Sequence, residues 1–208
     1  NYERTSVNDM FAADYGLNIN RVNIPADVSA SFRCDVPNMS TLLGIVVNDE
    51  FHPTPTLSAG LPEGVTFTSL RQAAIDDPDF VAARYGSIAP LSMPAVALNT
   101  MLVQDGVLIR VRRGVHLEKP LQLVNIFSAP ASVMAPRRVL VVIEEDASAK
   151  LLVCDHTQDS DRAYLSSEVV EIMLGDNARL DYYSIEESSP LTTRHSNLFA
   201  RTGRGAHL

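Results

Sequence analysis

The chain has 208 residues, of which 46% are hydrophobic and 20% are charged, a composition typical of a globular protein with a buried core. Its formal net charge of -8 argues against nucleic-acid binding, which normally requires a basic face. The two cysteines, Cys34 and Cys154, are too few for a disulfide framework, so we expect reduced, buried thiols in a cytoplasmic protein. No apolar run is long enough to predict a membrane-spanning helix, and the residues from Asn1 onward have no signal-peptide character.

The beginning of the chain combines a short helix with strand patterns. Ser6 is a candidate N-cap for a helix over residues 7–13. Residues 18–24 alternate between polar and apolar side chains, which predicts a half-buried strand, and residues 29–36 alternate less cleanly. The continuous apolar run over residues 42–47 has the length of a buried strand.

Prolines and a helical period mark the next segment. Two prolines within residues 52–56 lack the amide donor that a strand ladder needs, so these residues should not continue a strand. Residues 68–85 have a helical pattern, and Pro78 should begin a new helix within it. A further helix is predicted over residues 94–102, ahead of a turn signal.

After Gly106 the chain has strand patterns only. β-branched residues dominate, and no helical period separates the strands, which argues against a doubly wound α/β sheet. The predicted strands cover residues 107–112, 121–127, 138–144, 165–172 and 178–185.

A short phrase recurs in this second half: a polar or glycine turn, then a small residue, then alternating side chains. Its copies lie at residues 145–151, 175–180 and 203–208, with a weaker copy at 113–117. The step of about 30 residues is typical of stacked-repeat architectures, in which each repeat forms one coil. Strand patterns alone would also allow a sandwich, and the recurrence favours a β-solenoid.

Several sequence pieces follow one another in a fixed order. They are Ala97-Leu98-Asn99-Thr100, Asp105-Gly106-Val107, Arg113-Gly114-Val115, Lys119-Pro120-Leu121-Gln122-Leu123, Pro136-Arg137, 141–145, His156-Thr157, 170–172, Asn177-Ala178 and 181–187. No single piece is specific, but the ordered set resembles the SufB/SufD family, scaffold proteins of the Suf iron–sulfur cluster assembly system. The resemblance implies a mainly β protein, with a right-handed parallel β-helix core over residues 99–208 preceded by a smaller α/β N-terminal domain over residues 1–98.

Within this family the residues favour the SufD branch. SufB-like proteins carry a cysteine in the turn after the strand equivalent to residues 151–153, and here that turn reads Asp155-His156-Thr157. The resemblance therefore implies a non-enzymatic scaffold that binds SufB-like and SufC-like (ABC ATPase) subunits. It implies no catalytic, cofactor-binding or metal-binding residues in this chain, and no nucleic-acid or membrane partner is expected.

The length of the chain suggests part of a larger protein. SufD-like proteins are roughly twice as long, and the last copy of the repeat runs to Leu208 without a polar cap. We therefore expect a truncated N-terminal fragment, with further coils beyond Leu208. We also expect self-association through the open end of the β-helix.

Cys154 and His156 are the candidates for a soft-metal or iron site, because side chains two positions apart on a strand point the same way. A buried thiol beside a turn histidine is the more common arrangement. His116 and His207 occupy equivalent places in the repeat, so coil geometry explains their recurrence better than catalysis does.

Charged clusters near the turns are the remaining candidates. Glu144 and Glu145 are adjacent on a strand and face opposite sides, so they would not share a proton. We expect these residues, and Glu186-Glu187, to be solvated. The arginine pairs at 112–113 and 137–138 are isolated, and the same rule predicts that they lie on a solvated face.

The alternative function is that of a β-helix protein that binds or cleaves polysaccharide. Such proteins usually present aromatic platforms and acidic clusters along one groove. This chain has no tryptophan and only 6% aromatic residues, and it shows no secretion signal. These features count against the alternative.

Overall fold

A computed structural model describes residues 6–17, 40–158 and 161–208 of the chain. The predicted strands over residues 18–24 and 29–36, and Cys34, lie outside the described residues. The helices and strands are α1 (Val7–Met10), β1 (Gly16–Leu17), β2 (Leu42–Val47), β3 (Glu50–Pro53), α2 (Pro55–Gly60), β4 (Val65–Ser69), α3 (Leu70–Asp76), α4 (Pro78–Ala82), α5 (Pro94–Leu102), β5 (Val107–Val111), β6 (Leu121–Phe127), β7 (Val133–Ile143), β8 (Ser148–Thr157), β9 (Tyr164–Leu174), β10 (Arg179–Glu187) and β11 (Thr192–Thr202).

The strands form two sheets that face each other. The first sheet has the order β11-β9-β7-β5-β4, with β1 also paired to β7, and the second has the order β10-β8-β6-β2-β3. From β5 to β11 successive strands alternate between the sheets, and neighbours of the same sheet pair in parallel. Each coil therefore contributes one strand to each sheet, and the expectation of a mainly β, parallel β-solenoid is confirmed, with about three turns.

Apolar side chains from both sheets fill the space between them. Val141 and Ile143 of β7 meet Leu151 of β8 and Ile172 of β9 in one cluster, and each of the four is 0% exposed. Burying an aliphatic side chain of this size stabilises a fold by about 1.5–3 kcal/mol. This interior cluster is the main core of the described chain.

Helices α3 and α4 cover part of the outer face of the first sheet. Leu70 of α3 and Phe80 and Val81 of α4 pack against Leu140 and Val142 of β7. Strand β7 is therefore buried on both faces, as expected for a β-branched strand without alternation.

The recurring sequence phrase forms the same turn in each coil. Gly114, Asp146, Asn177 and Gly205 occupy equivalent places and all have positive φ, of 72°, 55°, 56° and 64°. Glycine, asparagine and aspartate adopt this left-handed conformation more readily than other residues. The turns stack, since the Asn177 amide donates a 2.8 Å hydrogen bond to the Arg204 carbonyl of the next coil. The repeat predicted from the sequence is thus a repeat of the backbone.

The predicted equivalence of His116 and His207 is also confirmed. His116 forms a parallel bridge with Ser148, and His207 forms one with Arg179 of a later coil. Both histidines therefore directly follow the stacked turns and continue the sheet by one residue.

The predicted helices lie at the right places in the chain, but some of their ends differ from the prediction. Helix α4 begins at Pro78, and α5 covers Pro94–Leu102, as predicted. The prediction over residues 68–85 began too early, because Ser69 still belongs to β4 and caps α3 with its side chain. Helix α1 ends at Met10, earlier than predicted.

The strand predictions are confirmed for β2, β5, β6, β7, β9 and β10, and they differ from the structure elsewhere. The expectation that residues 52–56 contain no strand was wrong, because His52 and Pro53 pair with β2. Strand β3 lies at the sheet edge, where a missing proline N–H interrupts no ladder. Strand β4 and the polar strand β11 have no counterpart among the predicted strands.

Both sheets extend across the predicted domain boundary. Strand β2 pairs with β6, and β4 pairs with β5. The boundary between residues 98 and 99 stays a prediction. Among the described residues, no helix has the length and apolar character needed to cross a membrane.

Candidate functional site

A layer of polar side chains interrupts the apolar interior at one level of the solenoid. On the first sheet, Arg137, Glu168 and Ser196 lie side by side on β7, β9 and β11. On the second sheet, Asn125, Asp155 and Glu186 lie side by side on β6, β8 and β10. Side chains two residues apart on a strand share a face, so these positions share the interior face of the apolar cluster. We call this set, together with Arg194, the interior polar layer.

An ion pair between the sheets lies at the centre of the layer. Arg137 Nη1 is 3.0 Å from Asp155 Oδ1, and each side chain is 3% exposed. Asn125 Nδ2 donates to the same Asp155 oxygen over 3.1 Å, and Arg137 Nε donates to the Asn48 carbonyl over 2.7 Å. The Arg137 guanidinium also lies over the Phe127 ring, 4.3 Å from its centroid. These contacts hold both charged groups in a single orientation.

Arg194 extends the layer into the last described coil. Its Nη2 lies 3.0 Å from Glu168 Oε1 and 3.4 Å from Asp155 Oδ2, and its Nη1 lies 3.4 Å from Glu186 Oε2. Ser196 Oγ donates to Glu168 Oε1 over 2.7 Å. Exposure rises along this path, from 1% for the Glu168 side chain to 23% for Arg194 and 44% for Glu186. The layer is therefore buried in the inner coils and open in the last one.

Burial shapes the proton affinities of this layer. It raises the pKa of Asp155 to about 6, with Glu168 acting in the same direction and Arg137 opposing it. Burial also lowers the pKa of Arg137, against the attraction of Asp155. For Arg194 burial alone would lower the pKa, but the Glu168 and Asp155 carboxylates raise it. Of the two buried partners, Asp155 is the group that can exchange a proton near neutral pH.

The chemistry of the layer is ion pairing. Arg137 donates to Asp155, and Arg194 and Ser196 donate to Glu168. Both central carboxylates are thus committed to donors from neighbouring strands. The arrangement ties the two sheets and consecutive coils together at a fixed register.

The structure brings Cys154 and His156 to the outer face of the second sheet. Cys154 is 0% exposed, lies among apolar side chains such as Ile45 and Val124, and has Gln122 Nε2 at 3.8 Å from its sulfur. His156 Nδ1 lies 3.3 Å from Glu187 Oε2. Within the described ranges, no three His, Cys, Asp or Glu side chains are grouped as a metal site would need.

The expectation of a turn at Asp155-His156-Thr157 was wrong. These residues continue β8, which ends at Thr157. The interior side of β8 stays committed to the polar layer at Asp155, and a turn at this point would break its pairing with Asn125 on β6. The residues from Leu151 to His156 are all buried in β8, which a solvent-exposed turn would not allow.

The two glutamates before the stacked turn have separate partners. Glu144 Oε1 lies 2.6 Å from Arg110 Nη2, and Glu145 Oε1 lies 3.1 Å from Arg113 Nη2. At the other cluster, Glu186 and Glu187 contact Arg194 and His156 respectively.

The expectation that Arg137 and Arg138 lie on a solvated face was wrong. They are 3% and 1% exposed and occupy opposite faces of β7. Arg138 Nη2 lies 2.6 Å from Glu171 Oε2 on the outer face. The Glu171 carboxylate also accepts hydrogen bonds from the amides of Gly86 and Ile88, at 2.9 Å and 3.2 Å.

Sequence reasoning therefore missed two buried ion pairs. A usable signal existed, because Arg138 begins the predicted strand over residues 138–144, and Glu168 and Glu171 lie inside the predicted strand over residues 165–172. Charged residues are almost never fully buried unless they are paired. Charges inside such strands could have been matched between neighbouring coils.

Two family comparisons cover nearly the whole chain. Residues 1–123 match the SufBD protein N-terminal region, and residues 126–208 match the SufBD core domain of the SUF system for FeS cluster assembly. A curated relative from Synechocystis sp. (strain ATCC 27184 / PCC 6803 / Kazusa), the iron–sulfur cluster assembly SufBD family protein slr0074, is 29% identical over 126 residues. This similarity covers 60% of the chain but only 26% of the relative's length. The chain belongs to the SufBD family of iron–sulfur cluster assembly proteins.

Proposed function

We propose that the protein is a SufD-type scaffold subunit of the Suf iron–sulfur cluster assembly system. In this proposal it is not an enzyme, it works in the cytoplasm, and it acts by binding a SufB-like subunit and a SufC-like ABC ATPase. Membership of the SufBD family supports the general role. The choice of SufD over SufB, and the partners, are the finer part of the proposal.

The observation that carries the SufD assignment is the position of Asp155. SufB-like proteins are expected to carry a sulfur-accepting cysteine close to this point of the chain. Here the position holds a carboxylate, which is 3.0 Å from the Arg137 guanidinium and buried with it. The neighbouring Cys154 is 0% exposed, and burial among apolar side chains keeps its sulfur away from solvent and from a sulfur donor. These features favour a structural role for this segment over sulfur acceptance.

Co-purification tests the partner assignment. The tagged protein is co-expressed with the SufB-like and SufC-like proteins of its own organism, and we expect a stable complex that contains all three. Cys154→Ser is the matched variant and should assemble to the same extent, because the proposal gives this thiol no role in binding. Recovery of the tagged protein without either subunit would contradict the proposed partners.

Persulfide mapping tests the SufD assignment separately. The protein is incubated with a cysteine desulfurase and cysteine, and its peptides are examined by mass spectrometry. We expect no added sulfur at Cys154, whereas a co-incubated SufB-like subunit should carry it. Sulfur on Cys154 at a comparable level would overturn the assignment and favour a SufB-type role.

The fold and the similarities found lend no support to the polysaccharide alternative.

A further inference from the structure

A small internal cavity lies next to the interior polar layer, in the first coil. Its lining includes Asp49, Asp105, Asn125 and Arg137, together with apolar side chains such as Val139. The cavity offers about 10 Å³ to the centre of a water-sized sphere. A single water molecule needs about this much room.

Two charged side chains on the cavity wall each have one buried atom without a hydrogen-bond partner. Asp105 is 5% exposed and Arg137 is 3% exposed. Asp105 Oδ1 accepts from Ser69 Oγ over 2.8 Å and from the Arg71 amide over 3.1 Å, which leaves Oδ2 unpartnered. Arg137 uses Nε and Nη1 for Asn48 and Asp155, which leaves Nη2 unpartnered. A buried polar group without a partner costs about 1–3 kcal/mol, and more when it is charged.

The chemistry of the two atoms restricts what can fill the space between them. Arg137 Nη2 is a donor and Asp105 Oδ2 is an acceptor, so the ligand must both accept and donate a hydrogen bond. A cation would lie against the Arg137 guanidinium, and an anion would lie against the carboxylates of Asp105 and Asp49. Water satisfies both atoms without either repulsion.

We propose that one ordered water molecule occupies this cavity, accepting from Arg137 Nη2 and donating to Asp105 Oδ2. The water completes a hydrogen-bonded path from the start of helix α3, through Asp105 and Arg137, to Asp155 in the second sheet. It thereby couples the helical cover of the solenoid to the interior polar layer. This inference is independent of the proposed function.

A crystal structure of the protein at about 1.5 Å resolution tests the proposal. We expect one spherical density peak within about 2.7–3.2 Å of both atoms. An empty cavity, or a direct contact between Asp105 and Arg137, would overturn the proposal. Bromide and rubidium soaks distinguish the other occupants, because an anomalous peak at this position would show an anion or a cation instead of water.

Two variants test whether Asp105 holds the water. Asp105→Asn keeps an acceptor oxygen, and its crystals should retain the peak. Asp105→Leu removes the acceptor, and water-oxygen relaxation dispersion in solution should then count one long-lived internal water fewer than in the wild type. An unchanged count in a folded Asp105→Leu protein would contradict the assignment. If that variant does not fold, the peaks in the wild type and in Asp105→Asn decide the question.

Discussion

Arg137 and Asp155 pair across the interior of the solenoid, from the first sheet to the second, with 3.0 Å between Nη1 and Oδ1. Moving two charges out of water costs several kcal/mol per ion, and their attraction offsets this only if further hydrogen bonds hold the geometry. Asn125 and the Asn48 carbonyl supply such bonds here. The pair therefore fixes the relative position of the two sheets more than it adds net stability.

Removing one partner of this pair should be far more costly than removing an exposed pair. Arg137→Met leaves Asp155 buried without its nearest cation, and we expect a loss of about 3–5 kcal/mol in the free energy of unfolding. Arg113→Met is the control, because Arg113 and Glu145 are 69% and 44% exposed, and it should cost less than about 1 kcal/mol. Urea unfolding measures both, and equal losses would contradict the structural role of the buried pair.

The double variant Arg137→Met/Asp155→Leu separates two contributions to the free energy of unfolding. One is the net contribution of the ion pair, and the other is the cost of leaving one buried charge without its partner. Replacing a buried ion pair by apolar side chains is often close to neutral. We therefore expect the double variant to be more stable than Arg137→Met alone, with a coupling free energy of about 1–3 kcal/mol in a double-mutant cycle. Additive losses would show that the two side chains act independently.

The raised pKa of Asp155 predicts a specific pH dependence of stability. Its pKa is about 6 in the folded protein and about 3.9 in an unfolded chain. The folded state therefore binds the proton more tightly, so the contribution of Asp155 to stability is present below about pH 4 and is lost as the pH rises through about 6. Asp155→Asn removes the titrating carboxyl, so the variant does not lose this stability as the pH rises. The free energy of unfolding of the variant, relative to that of the wild type, should therefore increase by about 2 kcal/mol between pH 4.5 and pH 7.5.

Urea unfolding at the two pH values measures this difference. Other carboxylates titrate in both proteins, so they cancel in the comparison. Asp161→Asn is the control, because this side chain is 81% exposed, and its stability relative to the wild type should stay nearly constant. A constant difference for Asp155→Asn as well would show that burial does not raise the pKa of Asp155.

Glu171 should control the exchange of two backbone amides. Its carboxylate accepts from Gly86 and Ile88, at 2.9 Å and 3.2 Å, and hydrogen bonds to charged groups are worth about 1.5–3 kcal/mol. Glu171→Gln should therefore speed hydrogen exchange at both amides by about 10- to 100-fold. Glu145→Gln, at the exposed turn, should leave them unchanged. Slow exchange at both amides in Glu171→Gln would show that other contacts hold this loop.

The solenoid was predictable from the sequence because its turns repeat in chemistry as well as in shape. Asp146 and Asn177 carry the left-handed conformation that Gly114 and Gly205 adopt at the same place. A local rule links residue type to this conformation, so the repeat was visible without a structure.

The interior polar layer was not predictable in the same way. The contact between Arg137 and Asp155 depends on how the two sheets face each other, and charged residues are usually solvated. Only the pairing register shows that Arg137 lies beside Glu168 and that Asp155 lies beside Asn125. The turn expected at Asp155-His156-Thr157 came from the family resemblance, and only the register shows that Asp155 lies inside a strand, where it forms an ion pair.

Gly175 and Gly114 are needed for different reasons: Gly175 allows two coils to approach closely, and Gly114 adopts a left-handed backbone conformation. A Cβ at Gly175 would lie 2.5 Å from the Glu145 amide nitrogen, whereas a Cβ at Gly114 would meet nothing within 4 Å. Gly114 has a φ of 72°, so Gly114→Ala should cost only the left-handed strain of about 1–2 kcal/mol. Gly175→Ala must push two backbones apart and should cost about 3 kcal/mol or more. Thermal and urea unfolding would show the difference, and equal costs would mean that the coils can separate at Gly175 without loss.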